Sequence, residues 1–565
     1  MASEPQVLIR RPWQLDIVWP GRSRSLELIA IVLLLLAVVL AQQIYGHAYV
    51  NVFGDDEASH YISSLLVHDY LKSLLHGQIG SPVSYIVQYQ GHYPLIGIGH
   101  WPPLYYGVTA IWMFVFGCSR ESVLMLSALV TAATGAVLYG IVTQWLGRMA
   151  GLAAAILFVA APLVEAGSCT LMLDVPLALV SLWAALGYAR YLKTGRARDA
   201  VVFGILATAG LLTKGNGAFL ALLPPFAVII GRRFELLRQW TFWLPLPLVL
   251  ILAGPWTVAT YGLVAAGWRF TWGWHYLQTA TAANATILLT SLGGLIVVAA
   301  LGGLVAVIVT CWRTVRSSGP QAVDGRLVCI AALLMAVWVF QSMVPAAIQD
   351  RYLAAAVPPL VALAIWGAAQ FWAWIAGRAI RHPRPGLVAA AVLLLSMIPN
   401  ITYAVPPSSR DLMAAAREIW ARHSPGNPVV LIAGDGPMEA AMIAELAMRD
   451  PRRPSLFAVR GSRLLGGGGY NNADYRPRYH AIADIMAAID DYAIPLVLLR
   501  TDHHAEEWTH LQQIRDAIQR YPNRWERIWQ GEDATPVALY RVIGNGKAVT
   551  DVARLVALSG PHALK

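Results

Sequence analysis

The segment PLYYGVTAIWMFVFG, residues 103–117, decides how this chain is arranged in a membrane. It is apolar throughout, yet a transmembrane helix needs about 20 residues and this segment is shorter. If it crossed the membrane, the basic loops that follow would lie opposite the basic N-terminus. If it lies at the surface or only dips in, the loops and the N-terminus share one side, as the positive-inside rule requires. We therefore predict a short interfacial helix here.

The apolar runs on either side of this segment predict a mainly α, polytopic helical membrane protein. Of the 565 residues, 57% are hydrophobic and 13% are charged, and the mean hydropathy is +0.54. The first run, 26–45, is too long for the core of a signal peptide and predicts an uncleaved anchor. With it we expect about eleven spans. The further runs are 122–144, 150–168, 175–192, 199–213, 217–231, 239–260, 285–310, 327–346, 352–376 and 386–403.

The net charge of +10 follows from this topology. Many Lys and Arg residues lie in short loops between apolar runs, so the charge indicates loops on the inner side rather than nucleic-acid binding. No CxxC pair occurs, and the cysteines lie in or beside apolar segments, so no metal or redox site follows from them. They are Cys118, Cys169, Cys311 and Cys329.

Composition divides the chain into three parts. Residues 1–25 form a cytoplasmic N-terminal segment, residues 26–403 form the membrane module, and residues 404–565 form a soluble domain outside the membrane. Within the module, residues 46–121 are the first extracytoplasmic loop, with interfacial helices. The last part alternates strands and helices, which predicts a small α/β domain. Its expected strands are 429–434, 455–460 and 495–500, and its expected helices are 437–450 and 480–492.

Three consecutive acids follow the first span in the sequence GDDEASHYIS. A carboxylate at the boundary of membrane and water suits a general base that deprotonates an acceptor hydroxyl or amine. Asp55, Asp56 and Glu57 are therefore catalytic candidates. The alternative is an acidic first turn that stabilises a helix N-terminus.

An acid and a lysine interrupt apolar sequence at the predicted outer ends of two spans. They are Asp174 in LMLDVPL and Lys214 in LLTKGNG. Ionisable residues at such positions are costly and by default functional. For Asp174, which precedes Val-Pro, the alternative is a helix cap. We hypothesise that the two form an ion pair that orients the Asp174 carboxylate or balances its charge.

Five further residues are candidates for binding a phosphate on the same side. They are His100 and Tyr105 in IGHWPPLYYG, His275 in WRFTWGWHYLQ, and Arg351 and Tyr352 in QDRYLAAAVPPL. A guanidinium binds phosphate through two parallel hydrogen bonds, and a tyrosine adds a donor. His275 suits a phosphate, a sugar or a metal. The alternatives are an interfacial aromatic belt, a snorkelling arginine and a structural histidine.

Taken in order, these motifs resemble those of a known group of membrane enzymes. The order is an acidic DE after the first span, a PPLYY helix, an LD at an outer turn, a TKG turn, and RYLxxxxPPL late in the chain. This is the pattern of the GT-C glycosyltransferases of the protein O-mannosyltransferase (dolichyl-phosphate-mannose-protein mannosyltransferase) and aminoarabinose transferase (ArnT-like) group. The resemblance covers about residues 26–403.

The resemblance implies a GT-C fold and an inverting transfer of a hexose or pentose from a polyprenyl-phosphate donor. The transfer would take place on the outer face of the bacterial plasma (inner) membrane, or in the lumen of the endoplasmic reticulum. The acceptor is open between protein, lipid and glycan. The resemblance carries the catalytic carboxylate to Asp56, the LD aspartate to Asp174, the TKG lysine to Lys214 and the late tyrosine near the carrier phosphate to Tyr352. No cofactor is evident, although a divalent metal on the acids stays open.

The sequence departs from the family pattern at two places. Many relatives have a lysine before the Pro of PPLYY, where this chain has Trp101, so His100, Lys214 or Arg351 must supply the positive partner. The first loop also lacks the arginine that follows DE in aminoarabinose transferases, which argues against aminoarabinose on lipid A. The alternative to a transferase is a secondary transporter or lipid flippase, because intramembrane charges and broken helices also mark substrate paths.

Overall fold

The structure, a computed structural model, follows the chain from residue 22. It describes residues 22–78, 80–377, 383–401, 410–467, 475–502, 508–531, 536–544 and 552–559. Most of the predicted segment 1–25 and the residues just after the predicted boundary at 403 lie outside this description. These two boundaries therefore stay predictions.

Helices α1 to α18 build the first part of the described chain. The apolar runs of the sequence form them, and proline or glycine stands where several of them break. Their bounds are α1 Arg22–Tyr45, α2 Asp55–Leu75, α3 Pro82–His92, α4 Leu104–Phe116, α5 Arg120–Leu146, α6 Arg148–Val159, α7 Pro162–Ser168, α8 Asp174–Thr194, α9 Ala197–Thr213, α10 Leu223–Gly231, α11 Trp240–Trp243, α12 Pro245–Leu252, α13 Gly254–Ala266, α14 Trp274–Leu292, α15 Gly294–Ser318, α16 Gly325–Met343, α17 Val357–Ile375 and α18 Pro383–Met397.

Six of the described helical segments are long and apolar enough to cross a membrane, and there are eight if each of two bent pairs counts as one span. The bent pairs are α6 with α7, at 66°, and α11–α12 with α13, at 62°. The total of about eleven stays a prediction, since three further predicted spans correspond to helical segments shorter than a usual span. These are Ala197–Thr213, Gly215–Gly231 and Pro385–Asn400.

One expected span has the wrong bounds. The predicted run 285–310 straddles a break at Gly293, whose φ of 86° lies in the left-handed region that glycine favours. Helix α14 ends before this residue and α15 begins after it, so α14 begins in the stretch between the predicted runs 239–260 and 285–310. By contrast, the deciding segment is a helix of 13 residues, α4, as short as predicted.

After residue 409 the described chain forms a mixed sheet with helices around it. The strands β2, β1 and β5 are parallel neighbours, and β7 and β6 continue the sheet in antiparallel order. The predicted α/β domain and its three strands are confirmed. The bounds are α19 Arg410–Arg422, β1 Val429–Ala433, α20 Gly436–Arg449, β2 Phe457–Arg460, α21 Gly461–Leu464, β3 Gly466–Gly467, β4 Arg476–Pro477, α22 Ile482–Asp491, β5 Leu496–Arg500, α23 Thr509–Arg520, β6 Trp525–Gln530, β7 Val537–Val542 and α24 Val552–Ser559.

Helix α5 contributes residues to two apolar cores, Ala128 and Ala132 to the larger one and Val123 and Leu126 to a second. The larger core joins the long helices, where α15 and α17 approach closely because Gly303 faces the backbone of Leu363. The second core joins α2, α3 and α4 to α19, α20 and one face of the sheet. Helix α2, which carries the three acids in its first turn, therefore packs against α4 on the one hand and α20 of the C-terminal domain on the other.

Candidate transfer site

The first turn of α2 presents its three acids in three different directions. Successive residues of a helix are rotated by about 100°, so three consecutive side chains cannot share one face. Asp55 is exposed, Asp56 is partly buried and Glu57 is buried. The three catalytic candidates of the sequence therefore have three different surroundings.

Asp56 forms an ion pair with Arg351, which lies in the 3-10 turn that leads into α17. The Nε of Arg351 also donates to the side-chain oxygen of Gln349, at 2.8 Å. The two side chains of the pair are 33% and 26% exposed, so water reaches both of them. Partial burial raises the pKa of Asp56, but the charge and hydrogen bond of Arg351 outweigh it and hold this pKa below its usual value. We call Asp56 and Arg351 the outer pair.

Asp174 and Lys214 form a second ion pair deeper in the bundle, which confirms the ion-pair hypothesis. The Nζ of Lys214 donates to one oxygen of Asp174 at 2.6 Å, and both side chains are almost fully buried. Asp174 is the first residue of α8, whereas Lys214 follows α9 in extended backbone. The second oxygen of Asp174 is buried and has no hydrogen-bond partner among the described residues. We call these two residues the inner pair.

Tyr352 stands beside both pairs. The Nζ of Lys214 lies 4.6 Å from the centre of its ring, and the guanidinium carbon of Arg351 lies 5.7 Å from the same point. The side chain of Gln341 donates to the backbone oxygen of Tyr352 at 3.2 Å, which fixes this turn to α16. Two cations, two carboxylates and one tyrosine from distant parts of the sequence therefore form one cluster.

Glu57 bonds to backbone groups on either side of the site. One of its oxygens accepts the backbone N–H of Gly54 at 3.1 Å, and the other accepts the backbone N–H of Leu171 at 2.8 Å. Leu171 lies three residues before Asp174, so this bond ties the first turn of α2 to the loop that leads into α8. Burial raises the pKa of Glu57 to about 7. This geometry suits a carboxylate that caps and positions, which is the alternative that the sequence left open.

Two histidines lie near the outer pair. His100 is half-buried, with its Nδ1 3.3 Å from the backbone oxygen of Leu263, and burial lowers its pKa. His60 is a residue that the sequence reasoning missed. Its Nδ1 lies 2.8 Å from the hydroxyl of Tyr106, and burial lowers its pKa to about 3. Neither histidine is a strong cation at neutral pH, so Lys214 and Arg351 supply the positive charge here.

His60 carries a signal that the sequence analysis left unused. It follows Asp56 by four residues, the spacing that places two side chains on one face of a helix. Its ring packs edge-on against Trp101, with 4.6 Å between the ring centres, which connects α2 to the segment ahead of α4.

Two of the predicted phosphate-binding residues are not brought into the cluster. Tyr105 is buried, and its hydroxyl has no hydrogen-bond partner among the described residues. His275 is exposed near the start of α14, and no described contact joins it to the other candidates. As for metals, no group of three or more potential His, Cys, Asp or Glu ligands occurs in the part of the chain that the structure describes.

Comparison with known proteins bears on the fold. The profile of a family described as dolichyl-phosphate-mannose-protein mannosyltransferase matches residues 100–258. No curated protein matches the sequence. The structure is similar to ArnT from Cupriavidus metallidurans bound to undecaprenyl phosphate, with a TM-score of 0.52 and 14% identity over 91% of this chain and 98% of that one. It is also similar to AglB from Archaeoglobus fulgidus in complex with an inhibitory peptide and a dolichol-phosphate.

The likeness to AglB has a TM-score of 0.50 and 12% identity, over 85% of this chain and 70% of that one. At such identities a structural likeness shows the fold alone. The fold predicted from the order of the motifs is confirmed, and so is the resemblance itself. The chain is thus a multi-pass membrane protein with the GT-C fold, similar over residues 100–258 to the dolichyl-phosphate-mannose-protein mannosyltransferases.

Proposed function

We propose that this protein is a glycosyltransferase that moves a sugar from a polyprenyl-phosphate donor to an acceptor outside the cytoplasm, with inversion at the anomeric carbon. The observation that carries the proposal is the outer pair, a carboxylate and a guanidinium that water reaches at the edge of a helical bundle. The solved structures that share the fold contain undecaprenyl phosphate and dolichol-phosphate, which supports a polyprenyl phosphate as the carrier.

The outer pair gives each of its members a role in the reaction. A phosphate oxygen competes with Asp56 for Arg351, because a guanidinium binds phosphate with two parallel hydrogen bonds. When Arg351 turns to the phosphate, Asp56 loses the charge that lowers its pKa and becomes a better base. Donor binding thereby makes Asp56 more basic.

The transfer itself exchanges one bond for another. Asp56 takes the proton of an acceptor hydroxyl, whose oxygen forms a bond to the anomeric carbon as the bond to the phosphate oxygen breaks. The polyprenyl phosphate leaves with the electron pair, and Arg351 stabilises the charge that develops on it. Lys214 adds a second positive charge beside Tyr352.

The inner pair suits a role in holding the sugar. The unpartnered oxygen of Asp174 is a buried acceptor, and a buried acceptor without a donor is costly. A hydroxyl group of the sugar supplies such a donor. Hexose and pentose donors both carry such a hydroxyl group.

The test is sugar transfer from a panel of polyprenyl-phosphate sugars by the purified full-length protein in nanodiscs. We expect Asp56→Asn to lower turnover by about 100- to 10,000-fold, the usual contribution of a general base, while donor binding is retained. Asp55→Asn is the matched control, because Asp55 is the neighbouring exposed acid and should keep most of the activity. Adding Mg²⁺ or a chelator to the same assay tests the divalent metal.

The same panel separates the alternatives. Turnover of one donor that is lost in Asp56→Asn supports the transferase and identifies the sugar. Equal turnover by the wild type and Asp56→Asn contradicts Asp56 as the base. The absence of both turnover and donor binding contradicts the transferase and favours a secondary transporter or lipid flippase.

A further inference from the structure

The C-terminal domain reaches the transfer site through a buried ion pair. Glu445 on α20 is fully buried and pairs with Arg120, the first residue of α5. Its other oxygen pairs with Arg449, one turn further along α20. This contact joins the domain to the end of the predicted first loop, residues 46–121.

Arg120 also touches the segment that leads into α2. Its guanidinium carbon lies 4.8 Å from the centre of the Phe53 ring, and Phe53 comes three residues before Asp56. The charge of Arg120 is close enough to lower the pKa of Glu57. The Nε of Arg120 is buried and has no hydrogen-bond partner among the described residues. Arg120 is therefore a buried cation that pairs with Glu445 of the domain and lies within electrostatic range of Glu57 on α2.

We propose that Glu445 is a positioning residue for the transfer site: it holds the guanidinium of Arg120, so that both oxygens of Glu57 stay bound to the backbone of Gly54 and Leu171. This role rests on the function proposed above.

The physical reason is the cost of an uncompensated buried charge. Without the charge of Glu445, the guanidinium of Arg120 turns to Glu57, a carboxylate whose charge acts on it together with that of Glu121. Glu57 then gives up a backbone partner, and the bond between α2 and the loop before Asp174 loosens. Asp56 shifts with the first turn of α2, whereas the cations that bind the donor phosphate stay in place.

The test is Glu445→Gln in the full-length protein, measured with the donor that the wild type uses. Because a shift of about 1 Å in a catalytic group costs up to about 100-fold in rate, we expect kcat to fall about 10- to 100-fold, with the donor KM unchanged within about threefold. Adding Arg120→Gln removes the guanidinium charge that would otherwise turn to Glu57. We expect the double variant to regain a kcat within about threefold of the wild type.

A loss of activity through misplacement of Asp56 must be told apart from a loss through unfolding. Arg453 still donates to Asp69 at 3.0 Å and Tyr93 still donates to Asp450, so in every variant the domain keeps polar contacts with α2 and with the residue that follows α3. Asp490→Asn is the matched control, because Asp490 pairs at 2.6 Å with Arg524, within the C-terminal domain. We expect it to leave kcat unchanged.

Three outcomes overturn the proposal while the wild type is active. They are an unchanged kcat in Glu445→Gln, a donor KM that rises in step with the fall in kcat, and a folded double variant that stays as slow as the single one. A wild type without turnover on any donor refutes the proposed function itself, and the positioning role with it.

Discussion

The outer and inner pairs share their chemistry and differ in their surroundings. The side chains of Asp56 and Arg351 are 33% and 26% exposed, whereas those of Asp174 and Lys214 are 4% and 6% exposed. A pair that water reaches exchanges partners at little cost. A buried pair keeps its partner, because a buried charge that loses its partner is costly. The difference assigns partner exchange to the outer pair and permanent structure to the inner pair.

The largest effect is expected when the inner pair is broken. Lys214→Met leaves the Asp174 carboxylate buried and alone, which costs about 3–5 kcal/mol in comparable buried pairs. We expect a large drop in the midpoint of thermal unfolding in detergent, and recovery of most of it when Asp174→Asn is added. The matched outer change, Asp56→Asn, should move the midpoint far less. Equal midpoints for Lys214→Met and the wild type would contradict the structural role of this pair.

A smaller effect is expected when the outer pair is broken. Arg351→Gln removes a charged hydrogen-bond donor worth about 1.5–3 kcal/mol, so donor affinity should fall roughly 10- to 150-fold. The charge that lowers the pKa of Asp56 also disappears, and burial then raises this pKa. A base works only when deprotonated, so the acidic limb of kcat/KM against pH should move to higher pH. A limb that stays in place would show that Asp56 is not the base.

The sequence predicted the members of the cluster better than their roles. Asp174 and Lys214 stand out because charges inside apolar segments need a partner, and the predicted pair is present. The pairing of Asp56 with Arg351 joins residues far apart in the chain, so no local pattern contains it. The order of three acids likewise does not tell which of them faces inward. That depends on where α2 begins, and Gly54 places Glu57 at the capping position.

For the fold too, the sequence predicted which elements are present better than where each one begins and ends. Hydropathy located the apolar helices, but a window of hydrophobic residues does not register a single glycine, so the break at Gly293 was missed. His275 is a candidate because of its chemistry alone, and the structure leaves it exposed near the start of α14. The α/β domain was recognisable because β1 is a run of five apolar residues, typical of the centre of a parallel sheet.

The smallest effect is expected from a residue that belongs to neither pair. The hydroxyl of Tyr105 is buried and has no partner in the part of the chain that the structure describes, so Tyr105→Phe removes a group that costs free energy on folding. This variant should be as stable as the wild type or slightly more stable. Donor affinity should be unchanged. Tyr106→Phe is the matched control, because it removes the bond to His60 and should cost about 1 kcal/mol. If Tyr105→Phe weakens donor binding while Tyr106→Phe does not, the Tyr105 hydroxyl contacts the donor, and the site extends beyond the two pairs into α4.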